Sequence, residues 1–87
     1  MSTYRAPLDD MQFVLNELAG LAEVAKLPGC EEAEPETVAA ILEEASRFAT
    51  DVLDPLNRSG DQRGARLTED GTVHTPQGFR DAYWKFV

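Results

Sequence analysis

PETVAAILEEASRFATDVLDPL, residues 35–56, decides the fold. Val38, Ile41, Leu42, Ala45, Phe48, Ala49, Val52, Leu53 and Leu56 recur every three or four residues, the period of a helix that turns one side inward. Glu36, Glu43, Glu44, Arg47 and Asp51 fall mostly on the opposite side. Pro35 stands at the first helical position, where the missing N–H would have no partner in any case. Pro55 is the discordant residue. Inside a helix it removes one backbone hydrogen bond and crowds the preceding turn. Because the apolar stripe continues to Leu56, the sequence predicts a kink there, with the helix finishing near Ser59 and Gly60.

Working outward, Met11, Val14, Leu15, Leu18, Leu21, Ala22 and Ala25 show the same period and predict an earlier helix over about 9–27. Asp9, with Gln12 three residues on, has the form of an N-terminal cap, and the early acids suit the helix dipole. Lys26 sits in the last turn, and Pro28-Gly29 ends the helix. Gly20 in mid-helix costs about 1 kcal/mol relative to alanine; either a close helix contact requires it or it is merely tolerated. The short link, about 28–34, makes helices 9–27 and 35–59 antiparallel neighbours. Farther on, Asp70-Gly71 between extended residues predicts a small hairpin or loop over about 65–75. Thr75, as cap, and Pro76, at the first helical position, predict a last helix from about 76. The expected fold is mainly α: a helical hairpin, a small β-hairpin and a final helix, in one domain at most.

That last helix carries Phe79, Tyr83, Trp84 and Phe86, four of the chain's seven aromatic residues. Phe79, Tyr83, Phe86 and Val87 share one helical face. No terminating Gly, Asn or Pro follows them, so the sequence predicts a packing face that expects a partner, and self-association through apolar helix faces.

Composition narrows the functions. The net charge of the 87 residues is −8. Residues 31–57 carry eight acids against Arg47 alone, whereas residues 58–87 come to +1. An acidic middle repels phosphate, which argues against nucleic acid and against anionic lipid surfaces. No apolar run approaches the roughly 20 residues of a membrane span. Cys30 is the single cysteine, so no internal disulfide forms, and the N-terminus lacks the form of a secretory signal. The expected compartment is the cytoplasm.

Candidates for chemistry are few. His74 is the one histidine, on the expected hairpin, with no Cys, Ser or acid cluster at a recognisable spacing. Cys30 is flanked by Glu31 and Glu32, and like charge opposes a thiolate there. The acids lack the alternating pattern and glycine of an EF-hand loop. Gly60, Gly64 and Gly71 do not form a phosphate-cradling loop before a helix. Asn57-Arg58-Ser59 matches a glycosylation triplet but falls in an expected helix. No residue is assigned a catalytic, cofactor-binding or metal-binding role.

Three blocks carry a resemblance. Residues 4–18, YRAPLDDMQFVLNEL, resemble the start of the longer bacterial acyl-CoA dehydrogenases, which bear an N-terminal extension before the helical domain. Residues 48–61, FATDVLDPLNRSGD, are similar to that family's first long helix, with its proline and acidic turn. Residues 71–83, GTVHTPQGFRDAY, resemble the segment leading into the next helix. The blocks stand in the family's order and span almost the whole chain, with 1–34 as extension-like helix and loop and 35–87 as the start of the helical domain. The resemblance implies a full-length enzyme that binds FAD, oxidises an acyl-CoA to the 2-enoyl-CoA and passes electrons to an electron-transfer flavoprotein. It also implies a glutamate base for the α-proton and the flavin as hydride acceptor. The family's flavin-binding segments and catalytic glutamate match no position here, and Glu43 or Glu44 as that base would be without support. The 87 residues alone are therefore expected to hold no FAD and to be inactive. The competing expectation is a self-standing helical interaction or dimerisation module. An acidic carrier is weaker, because no modifiable serine stands in a carrier-like setting.

Overall fold

Proline and glycine mark where the helices begin and end. The computed structural model describes residues 3–87, which fall into two units, Arg5–Arg47 and Phe48–Val87 with Tyr4.

In the first unit, α1 (Leu8–Phe13) follows Pro7, and no side chain caps it. Asp9 therefore lies inside the first turn rather than at the cap, where with Asp10 it still complements the helix dipole. The helix then widens into a π-helical turn, Val14–Leu18. It stops at Gly20, which has φ 67° and precedes the short α2 (Leu21–Val24). The helix expected over 9–27 is thus two pieces. A left-handed residue breaks the hydrogen-bond ladder, and glycine takes that conformation without steric cost. Close packing is not the reason for Gly20, since a Cβ there would meet nothing within 4 Å. Successive turns, Cys30 N–H to Leu27 O and Ala33 N–H to Cys30 O, both 3.0 Å, lead to α3 (Pro35–Phe48). Leu42 of α3 shares an apolar hollow with Met11, Val14 and Leu15. Leu21 is the buried hydrophobic residue of this unit.

In the second unit a π-helical turn, Ala49–Leu53, runs directly into α4 (Asp54–Arg63). Helical residues are continuous from 35 to 63, and the widened turn places Pro55 in the first turn of α4, where an absent N–H is tolerated. The helix ends at Gly64 (φ 68°, ψ 170°), not near Ser59 and Gly60. Gly60 is interior because the Phe79 ring occupies its side-chain space: a Cβ there would lie 2.5 Å from Phe79 Cζ. Strands β1 (Arg66–Leu67) and β2 (Val73–His74) pair antiparallel, Arg66 opposite His74 and Leu67 opposite Val73. The expected hairpin is present. The final helix, α5 (Phe79–Phe86), starts three residues after Pro76, behind Gly78 at φ 93° and without a side-chain cap from Thr75. Here Gly78 serves two ends: it reverses the chain, and its missing Cβ admits Leu56 Cδ2 to within 2.6 Å of the vacant position. Tyr4 is tied to this unit by two bonds. Its N–H donates to Asp54 Oδ2 at 3.0 Å, and Thr50 Oγ1 donates to its carbonyl at 2.7 Å.

Candidate functional site

Two depressions in the second unit are of opposite character. The first is apolar, about 360 Å³, and lined by Phe48, Leu53, Leu56, Phe79, Ala82, Tyr83 and Phe86, with Asn57 at its edge. α5 forms one wall because Phe79, Ala82, Tyr83 and Phe86 recur at the helical spacing seen in the sequence. Ala82 is buried. Phe86 reaches Phe48 with ring centroids 5.9 Å apart, and Tyr83 meets Trp84 edge-on at 5.3 Å. The wall is nevertheless open: Phe86 is 74% exposed and Trp84 62%. The expectation of an incompletely covered aromatic face therefore rests on visible surface. The hollow can bury an apolar side chain, and nothing in its lining is acidic or basic.

The second depression, about 540 Å³, lies between the end of α4 and the hairpin. Arg63, Gly64, Arg66, His74, Thr75, Pro76 and Gln77 line it. His74 is exposed on β2 opposite Arg66. In the hairpin turn the Asp70 carboxylate accepts hydrogen bonds from the Thr68 hydroxyl and from the Thr72 N–H at 3.0 Å. The Thr68 bond, then that of Thr72, holds the Asp70 carboxyl below its ordinary value.

Cys30 is half-buried in the link of the other unit. Beside it the Glu31 carboxylate accepts the Gly29 N–H at 3.2 Å. Its own backbone N–H, then that of Gly29, keeps Glu31 below the usual carboxylate range. The lining His74 shares with Arg63 and Arg66 contains no acid or thiol. Among the described residues no group of three His, Cys, Asp or Glu side chains could hold a metal ion. No helix among them is long and apolar enough to cross a membrane. The Arg63–Arg66–His74 grouping escaped the sequence reading, since only the hairpin register and the turn at Gly64 bring it together.

No family model matches the chain. The chain is nonetheless similar to an acyl-CoA dehydrogenase. That relative is the 3-methylmercaptopropionyl-CoA dehydrogenase of Ruegeria pomeroyi, 40% identical over 85 residues. The match takes in 98% of this chain and 14% of the relative, so the chain spans about one seventh of that enzyme's length.

Proposed function

We propose that these residues form the N-terminal part of an FAD-dependent acyl-CoA dehydrogenase, not catalytic by themselves, with 1–34 as an extension and 35–87 opening the helical domain. The observation that carries this reading is the 40% identity maintained over 98% of the chain. The whole enzyme would be a cytoplasmic oxidoreductase that takes an acyl-CoA to the 2-enoyl-CoA and hands electrons to an electron-transfer flavoprotein. FAD, when bound, supplies hydride acceptance, but the residues present do not fit it. The apolar hollow has no cation in its lining to meet a pyrophosphate. The flavin, the acyl-CoA and the catalytic base are therefore assigned to the remainder of the parent enzyme. What this chain contributes is a helical support whose open aromatic wall, Phe79, Tyr83 and Phe86, accepts packing from that remainder.

The test compares two proteins, the 87 residues alone and the product of the coding sequence read past Val87. The short protein should be colourless and inactive with acyl-CoA and a dye acceptor, and the long one should retain flavin and oxidise acyl-CoA. A flavin-retaining short protein, or a reading frame that stops after Val87, would refute the proposal. The exposure of Phe86 and Trp84 favours a second reading, a self-standing helical module that dimerises through the same wall. Sedimentation of the 87-residue chain measures that association directly.

A further inference from the structure

We infer that the depression between α4 and the hairpin is an anion site for a phosphate group, independent of the dehydrogenase reading. Its lining holds two guanidinium groups, an imidazole, a hydroxyl and an amide, and no carboxylate. Such a concentration of donors is unexpected in a chain of net charge −8. The backbone builds it deliberately. Gly64, at φ 68° and ψ 170°, occupies a region open almost to glycine alone, and so turns the chain sharply between Arg63 and Arg66. The register then sets Arg66 directly across from His74, which puts both side chains on one face of the hairpin, with Leu67 and Val73 on the other.

Among the described residues Arg63 and Arg66 have no ion-pair partner; the pairs present are Lys26–Glu23 and Arg47–Glu44. The hairpin's own Asp70 is engaged in the turn by Thr68 and Thr72. An adjoining depression, about 360 Å³, brings Arg80 together with one acid, Asp81, beside His74, Thr75 and Gln77, and that acid is outside the lining of the basic one. Guanidinium forks match the oxygens of phosphate in a bidentate manner, which chloride cannot reproduce. Because every cation of the site is exposed, the binding is weak and salt-dependent, with a dissociation constant on the order of 1 mM at low ionic strength.

The 87-residue chain, labelled with 15N, is titrated at low ionic strength with inorganic phosphate, with adenosine 3′,5′-bisphosphate, and with sodium chloride at matched ionic strength. Saturable amide shifts centred on Gly64, Arg66, His74 and Gln77 are expected with phosphate and not with chloride. Tighter binding of the bisphosphate assigns the natural source to a phosphorylated nucleoside, and equal or tighter binding of inorganic phosphate assigns it to the free ion. Arg66→Gln should weaken binding about tenfold, the loss of one charge-assisted contact. Arg58→Gln, outside the lining, should leave binding within twofold while lowering the net charge equally. Shifts that chloride reproduces, or equal weakening by Arg58→Gln and Arg66→Gln, would overturn the inference. Both substitutions are at exposed positions, and the unperturbed amides of the first unit report that the fold is retained.

Discussion

Gly60→Ala separates helix propensity from packing at a single site. In an ordinary helix interior the change stabilises by about 1 kcal/mol. Here the new Cβ would stand 2.5 Å from Phe79 Cζ and 2.7 Å from Cε1, where a normal contact is an ångström longer. Displacing a packed ring of this kind costs about 1–3 kcal/mol. The net expectation is a destabilisation of about 1 kcal/mol. Phe79→Leu withdraws the ring at a cost of about 1–2 kcal/mol, moderated by the 40% exposure of Phe79. In that background Gly60→Ala should become stabilising, by up to the full 1 kcal/mol of propensity. The coupling between the two sites is then about 2 kcal/mol, well above the additivity error of distant pairs. Urea unfolding of the four proteins, followed by far-ultraviolet circular dichroism, measures it as opposite displacements of the midpoint at constant m-value. If Gly60→Ala changes stability by the same amount and sign with and without the ring, the packing of α5 on α4 described above is wrong.

Gly78→Ala should destabilise by about 2 kcal/mol, from a φ of 93° and from the approach of Leu56 Cδ2 to 2.6 Å; Leu56→Ala should relieve only the second part, read from thermal unfolding of the pair. Asp70 has a folded-state pKa below its unfolded one, so its contribution is fully present above the ordinary aspartate value of about 3.8 and is lost as pH falls through the lower folded value. Asp70→Asn should therefore flatten the acid limb of stability below about pH 4, and an unchanged limb would show that the turn bonds do not survive in solution. Thr50→Val removes the donor to Tyr4 O and should speed exchange of the Tyr4 amide, which rests on Asp54, several-fold, with the hairpin amides unaffected. Phe86→Ser should lower any self-association of the chain in sedimentation, since that ring is the most exposed of the aromatic wall.

The places where the sequence was silent follow one pattern. Periodicity located the helical segments because burial of one side imposes its period on the residues themselves. It could not locate the π-helical turns at Val14–Leu18 and Ala49–Leu53, since a single extra residue in a turn leaves an apolar stripe that still reads as α-helix. Asp9 and Thr75 have cap chemistry, but capping depends on the preceding backbone, which Pro7 and Gly78 arrange otherwise. The aromatic wall was legible as a face. The basic depression was not, because Arg63, Arg66 and His74 belong to different elements.

By itself, then, the sequence determined a mainly helical chain with a hairpin before its last helix, its resemblance to acyl-CoA dehydrogenases, and the aromatic face of residues 79–87. These follow from local rules of period, turn chemistry and word order. Only the tertiary structure decided what the glycines do. Gly20 breaks a helix by its φ, Gly60 stays inside one because a ring fills its side-chain space, and Gly78 lets Leu56 close on the backbone. Glycine has no side chain to announce its purpose, so that purpose becomes visible only through the neighbours that the fold brings to it.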